Sequence, residues 1–218
     1  TIRQEVRGLL FEYRAGEFFQ NNAYILPELV DYVLAEASGR GSSNSSNSSN
    51  SSNSSNSSGA AIEPVCEYLV DAYCGSGLFA LSAAAAGLKG RLDNSTPFLS
   101  NPTSSTNSPS VPKQVNVFKH VTGIEISKRA VQCAINNSKL NHIENVEFKL
   151  GDSSNIFNYL LQRKENKHEE LESEFDHRYP VDSTTVIIDP PRSGCTANFL
   201  QQLLHYGPMR IVYVSCDV

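Results

Sequence analysis

The chain has 218 residues, 39% of them hydrophobic, and a formal charge of −5 with a pI near 5.5. That length fits one domain with decoration, and the acidic balance argues against a dedicated nucleic-acid binder, although a local basic patch is compatible with it. Five cysteines (Cys66, Cys74, Cys133, Cys195, Cys216) form no Cys-x-x-Cys pair and leave one over. This pattern suits a reducing compartment and no disulfide framework. With no secretory signal and no apolar run of membrane-spanning length, the reading is of a soluble, intracellular chain, with cytoplasm, nucleus and mitochondrion not separated. The sequence opens on Thr1 and stops inside an apolar run, which reads as a fragment.

In chain order, Leu9-Leu10-Phe11-Glu12-Tyr13 is strand-like and Arg14-Ala15-Gly16-Glu17 a turn. Ile25, Leu26, Leu29, Val30, Val33 and Leu34 recur at helical spacing, predicting a helix over 22–37 with Asn21 or Asn22 as its cap. Residues 41–59 repeat Ser-Ser-Asn and offer no side chain for a core, so they read as a flexible insert. Tyr68-Leu69-Val70-Asp71 is a buried strand, Gly75 and Gly77 form a turn, and the Ala- and Leu-rich run from Leu78 opens a helix. Residues 91–116, rich in Pro, Ser, Thr and Asn, are a second insert.

His120–Glu125 is the next strand, and Ser127 caps a helix carrying Ala130, Val131, Ala134, Ile135 and Leu140. A strand over Val146–Leu150 follows, then a short helix marked by Ile156, Tyr159, Leu160 and Leu161. Residues 163–183 are charged and read as a third insert, a solvated excursion. Thr185–Asp189 is a fully buried strand, Phe199, Leu200, Leu203 and Leu204 mark a helix face, and Arg210–Ser215 is the last strand. Such alternation predicts an α/β fold, a parallel sheet with helices on both faces and its ligand at the carboxyl ends of the strands. Asp71, Glu125, Asp152, Asp189 and Cys216 fall at those ends.

Three features carry chemistry. Gly-x-Gly after a strand, opening a helix with Ala80 as a third small residue, aims backbone N–H groups and a helix N-terminus at a ligand. An acidic residue ending the next strand, roughly 20 positions on, suits ribose hydroxyls. Glu125 stands 50 positions beyond Gly75, and 24 once the 26-residue insert at 91–116 is set aside. This spacing alone leaves a dinucleotide and S-adenosylmethionine both open. The Asp189-Pro190-Pro191 turn has fixed φ and offers carbonyls and a carboxylate without N–H groups. Amine methyltransferases follow a similar turn with an aromatic residue, whereas Arg192 follows here, which argues against exocyclic amine methylation. Cys216, at the end of the last strand, is a candidate nucleophile if its pKa is lowered. Cys74 and Cys195 lie near enough in the pattern that position alone does not choose among the three.

Together, Phe18-Phe19-Gln20-Asn21-Asn22, Asp71-Ala72-Tyr73-Cys74-Gly75-Ser76-Gly77, Gly123-Ile124-Glu125-Ile126-Ser127, Asp189-Pro190-Pro191-Arg192-Ser193-Gly194-Cys195 and Tyr213-Val214-Ser215-Cys216 resemble the RNA 5-methyluridine methyltransferases. The likeness is strongest to the fungal tRNA (uracil-5-)-methyltransferase branch, which acts on the T-loop uridine at tRNA position 54. The resemblance implies a Rossmann-like class I S-adenosylmethionine-dependent methyltransferase fold over residues 1–218, truncated at its C-terminus. It implies S-adenosylmethionine as cofactor, held by Gln20, Tyr73, Gly75, Glu125 and Asp189, with Cys216 as nucleophile toward carbon 6 of uracil. Arg192 is read as stabilising the enolate or orienting Asp189. A tRNA substrate, no membrane and no metal are expected; the oligomeric state is open, with a monomer expected.

The chain departs from the family at Asp217, where Asn is usual, and a carboxylate beside Cys216 disfavours the thiolate. The family's general base, a Glu beyond the last residue here, its small N-terminal RNA-binding barrel and its last strands are not in this chain. The fragment is therefore expected to be inactive, with Ile211-Val212-Tyr213-Val214 as an unpaired apolar edge. The alternatives are a methyltransferase for another substrate, which needs no covalent Cys; a nicotinamide-dependent dehydrogenase, for which the Asp-Pro-Pro-Arg turn has no role; and an inactive remnant.

Overall fold

The computed structural model describes residues 1–16, 19–20, 22–39, 66–92, 118–152, 156 and 179–215. Glu17, Phe18, Asn21, Cys216 and Asp217, the short helix expected at Tyr159, Leu160 and Leu161, the Ser-Ser-Asn insert, residues 93–116 of the second insert and most of the charged stretch lie outside them. Two antiparallel strands, β1 (Ile2–Val6) and β2 (Leu9–Tyr13), form a hairpin. Its two-residue loop, Arg7-Gly8, has both φ angles positive (51° and 78°), the conformation that suits the twist of a tight hairpin. The sequence reading found β2 but not β1, because Arg-Gly is a weaker turn signal than Asn-Gly.

The main sheet is five-stranded and parallel, in the order β5-β4-β3-β6-β7: β3 (Tyr68–Asp71), β4 (His120–Glu125), β5 (Val146–Leu150), β6 (Thr184–Ile188) and β7 (Arg210–Tyr213). Helix α1 (Leu26–Ala37) packs against β6 and β7, α2 (Leu78–Leu92) against β3 and β4, and α3 (Lys128–Leu140) against β4 and β5. On the other face α4 (Ala197–Tyr206) covers the sheet with Phe199, Leu203 and Tyr206. Strand alternation divides the core accordingly. Leu69, Val121 and Ile187 face the α1–α2 layer, while Val70, Val186 and Ile188 face α4. The parallel sheet with helices on both faces is therefore as expected.

The element bounds differ in places. Helix α1 begins at Leu26 with Ile25 at its N-cap and no side-chain cap, because Pro27 in the first turn sets the start. Asn22 instead closes the turn before the helix, its Oδ1 accepting from the N–H groups of Tyr24 (3.2 Å) and Ile25 (3.4 Å). Ser127 caps α3 as expected, accepting from Ala130 N–H at 3.3 Å. At the end of the charged stretch, Pro180, Val181 and Asp182 are exposed, but Tyr179 departs from a solvated excursion. Tyr179 is buried, its hydroxyl bonded to Thr122 and its carbonyl to the Tyr206 hydroxyl, and Val181–Ser183 form a 3₁₀ turn leading into β6.

Among the described residues β7 ends the sheet, with Ile211 and Tyr213 exposed. An open cleft runs along it, lined by Tyr32 and Glu36 of α1 and by Arg210–Tyr213.

Gly123 in the middle of β4 is a packing requirement. A Cβ there would lie 2.6 Å from the Phe148 ring and 2.9 Å from the Cys74 sulfur. Gly123→Ala should therefore lower stability by about 1–3 kcal/mol through overpacking, read as an earlier midpoint in urea unfolding.

Candidate functional site

The sheet order reverses at β3. From β3 the chain moves outward to β4 and β5, then crosses back to place β6 and β7 on the other side. A crevice at the carboxyl ends of β3 and β6 follows from that topology. Asp71 ends β3 and is in register with Gly123 of β4 and Ile187 of β6. Two residues further along lie Glu125, the last residue of β4, and Asp189, the first residue after β6. The period of two therefore turns all three carboxylates toward the face that carries α2.

The turn after β3 completes the mouth. Gly75 has φ of +52°, and a Cβ there would meet nothing within 4 Å, so its open side is free for a ligand. Gly77, at φ +92°, serves packing instead: a Cβ would come within 3.0 Å of Leu81 and Phe148 and 3.2 Å of Ala134. One glycine thus keeps the mouth clear and the other lets α2 and α3 close together.

Glu125 is fixed by two backbone donors. Its Oε2 accepts from Gly75 N–H at 3.1 Å and its Oε1 from Ser127 N–H at 2.8 Å. The carboxylate joins the glycine turn to the cap of α3 and keeps further lone pairs for a diol. Gln20 reaches Asp189 from 169 residues away, its Nε2 3.5 Å from Oδ2. Burial raises the Asp189 carboxyl above its usual range, and Gln20 opposes the rise. Arg192 is exposed, and among the described residues no ion pair or hydrogen bond joins it to Asp189. Its expected part in orienting Asp189 is thus taken by Gln20. Tyr73 is half-buried, its ring edge-on to Phe199 of α4 at 5.6 Å.

The thiols separate clearly. Cys74 is buried, and burial, then Asp71 and Glu125, drive its pKa well above 9.0, so it is held as a neutral thiol. Cys195 is also raised, first by burial, with Tyr73 opposing. Neither environment activates a nucleophile.

Sequence reasoning missed the amide clasp that secures this mouth. Asn137 of α3 is fully buried. Its Oδ1 accepts from Glu12 N–H (2.8 Å), and its Nδ2 donates to the carbonyls of Glu12 (3.2 Å) and Ser76 (3.1 Å). One turn on, Asn141 accepts from Leu10 N–H (2.8 Å) and donates to Leu10 carbonyl (2.7 Å). Two side chains thus pair with the edge of β2 as a strand would, and one also holds the glycine turn. The available signal was an amide at 137 on the same helical face as Ala130 and Ala134.

Among the described residues no group of three or more His, Cys, Asp or Glu is placed to hold a metal ion, and no helix is long and apolar enough to cross a membrane.

A glycine turn and a strand-end carboxylate at the reversal point of a β5-β4-β3-β6-β7 parallel sheet belong to the Rossmann-like fold of class I S-adenosylmethionine-dependent methyltransferases. The fold is shared with the Pyrococcus abyssi tRNA (uracil-54, C5)-methyltransferase solved with S-adenosyl-L-homocysteine, at a TM-score of 0.55 and 21% identity, over 99% of this chain and 34% of that one. A family model described as tRNA (Uracil-5-)-methyltransferase matches residues 110–218, and the chain belongs to that family. It is 32% identical over 219 residues to the tRNA (uracil(54)-C(5))-methyltransferase of Saccharomyces cerevisiae, and 32% identical over 220 residues to that of Schizosaccharomyces pombe. Both matches take in 100% of this chain but only 24% and 29% of those relatives.

Burial, then the carboxylates of Asp189 and Glu125, push the Asp71 carboxyl from 3.8 up to about 8, against the N–H groups of Ala80 and Tyr73. The folded state then keeps a proton that the unfolded chain loses above pH 3.8. With more protons bound when folded, stability falls as pH rises from 3.8 to about 8. Asp71→Asn should flatten that decline, as measured by urea midpoints across the interval.

Proposed function

We propose that this chain supplies the cofactor site and the nucleophile of a tRNA (uracil-5-)-methyltransferase that transfers a methyl group from S-adenosylmethionine to carbon 5 of a T-loop uridine, position 54. The observation that carries the reading is the Glu125 carboxylate, anchored by Gly75 and Ser127 N–H groups at the mouth where the sheet order reverses. Family membership and the fungal relatives support the choice of uridine and tRNA.

The residues present fit the methyl donor. The open side of Gly75 leaves room for its backbone-facing edge, Glu125 has lone pairs for the two ribose hydroxyls, and three carboxylates suit a cation. When bound, S-adenosylmethionine supplies a methyl group made electrophilic by a sulfonium. Glu125 holds the ribose, and the Gln20–Asp189 pair offers a carboxylate oxygen and an amide from the opposite side of the mouth. Tyr73, braced on Phe199, walls the side toward α4.

Carbon 5 of uracil is a weak nucleophile, and the thiolate of Cys216 remedies this by adding to carbon 6. The pair of electrons released from the C5–C6 double bond forms an enolate across C4 and C5, and carbon 5 takes the methyl group. A base then removes the carbon 5 proton, and elimination restores the double bond and the thiol. Support for Cys216 comes from β7: Val214 N–H donates to Ile188 carbonyl at 2.8 Å, so the chain leaving β7 runs beside the turn that begins at Asp189. Arg192, exposed in that turn, is free to stabilise the enolate oxygen.

With a chain extended to include the family's general-base Glu, a T-loop RNA carrying 5-fluorouridine decides the chemistry, because fluorine at carbon 5 cannot leave as a proton does. With S-adenosylmethionine present, a stable protein–RNA adduct on a denaturing gel is expected, and Cys216→Ser should abolish it. An adduct that survives Cys216→Ser, or methyl transfer that does, would favour a methyltransferase without a covalent step. Glu125→Ala should raise the Kd for S-adenosylmethionine by about 10- to 100-fold, the value of hydrogen bonds to a charged group. Arg192→Ala should lower turnover with little change in that Kd; full turnover would remove Arg192 from the mechanism.

A further inference from the structure

Asp71 sits at the centre of the mouth, yet the reaction as set out above gives it no task. It is fully buried on the central strand. Its Oδ2 accepts from Ala80 N–H of α2 at 3.1 Å, while its buried Oδ1 closes no hydrogen bond of good geometry among the described residues. The titratable groups acting on it are Asp189 from β6 and Glu125 from β4, and it in turn acts on the Cys74 thiol in the turn. Helix α2 and the turn contribute only the N–H groups of Ala80 and Tyr73. No cation is among them. A buried carboxyl whose Oδ1 closes no well-formed hydrogen bond, with two acidic neighbours and, among the described residues, nothing positive to balance them, is a site prepared for a positive charge from outside the chain.

We propose that Asp71 distinguishes the cationic methyl donor from its neutral product, releasing a proton when the donor binds and keeping it when the product binds. The inference rests on the functional reading above for the identity of the ligand. S-adenosylmethionine carries one net positive charge, on its sulfonium, and S-adenosylhomocysteine carries none. A positive charge within about 4–6 Å lowers a carboxyl pKa by about 1–3 units. Starting from about 8, a shift in this range carries Asp71 from mostly protonated to between about half and almost fully ionised at neutral pH. The O–H bond of Asp71 breaks, its electron pair stays on the carboxylate, and the proton passes to solvent. Once the methyl group has left, the sulfonium is gone, Asp71 regains its proton, and the attraction that held the donor does not hold the product.

Calorimetric titration of the protein at about pH 7, in two buffers of different ionisation enthalpy, counts the protons released on binding. The ligands are S-adenosylmethionine, S-adenosylhomocysteine and an analogue with an amine in place of the sulfonium. The two cationic ligands should release up to about one proton more than the neutral one. Donor affinity should rise by up to about tenfold per unit as pH increases toward 8, while product affinity stays nearly flat. In Asp71→Asn, with folding confirmed by its thermal transition, the difference in proton count should vanish. Equal proton counts for all three ligands, or a difference that persists in Asp71→Asn, would overturn the proposal. If Asp71→Asn does not fold, the three-ligand comparison on the unaltered protein decides alone. Failure of every ligand to bind would instead overturn the functional reading, and this inference with it.

Discussion

The parallel register of β3 between β4 and β6 is the constraint on which the site depends. It fixes Asp71 level with Gly123 and Ile187, and so brings Glu125 and Asp189 out on the same face, one rung higher on either side. A slip of one residue in either ladder would turn that strand's acid to the opposite face of the sheet. The hydrophobic alternation forbids the slip. Moving β6 by one position would send Ile187 toward α4 and Val186 toward α1, exchanging two cores that are each filled by different side chains. The packing of apolar residues thus sets the placement of polar ones, and the carboxylates need no contacts of their own to be gathered.

Burial gives those carboxylates their chemistry. Three acids near one another would repel in water, but here the central one is raised to about 8 and a flanking one is raised as well, chiefly by loss of solvent. The same surroundings hold Cys74 as an inert thiol although it lies in the turn itself. A position at the mouth therefore confers reactivity on none of its sulfurs by proximity alone.

Much of this was legible in the sequence. The β4 bounds, the Ser127 cap and the placing of a carboxylate, Glu125, at the tip of β4 beside the glycine turn follow from periodicity, capping chemistry and spacing, each of which is local. What was not legible depends on partners far away in the chain. Gly123 reads as an unremarkable strand glycine until Phe148 and Cys74 are seen against it. Asn22 has the chemistry of a helix cap, but Pro27 moves the helix start past its reach. Arg192 follows Asp189 closely enough in the chain to be read as its partner, and only the tertiary arrangement puts the distant Gln20 amide there instead. The burial of Tyr179 was hidden because its neighbours in sequence are charged while its neighbours in space are Thr122 and Tyr206.

The amide clasp has a bearing on how the molecule assembles. The hairpin closes on itself through residues only a few positions apart, so it can form early and alone, whereas Asn137 and Asn141 meet it across 125 and 131 positions of chain. Long-range contacts of this kind come after the local ones, because the entropy of closing the intervening loop must be overcome first. Docking of the hairpin, which buries Val6, Leu9 and Phe11 in the same core as α1 and α2, therefore carries the larger entropic cost, and the clasp is part of what offsets it. Because one Asn137 amide holds both Glu12 and Ser76, the docking of the N-terminal strands and the shape of the glycine turn are tied through a single side chain, so the far end of the chain has a hand in the order of the mouth.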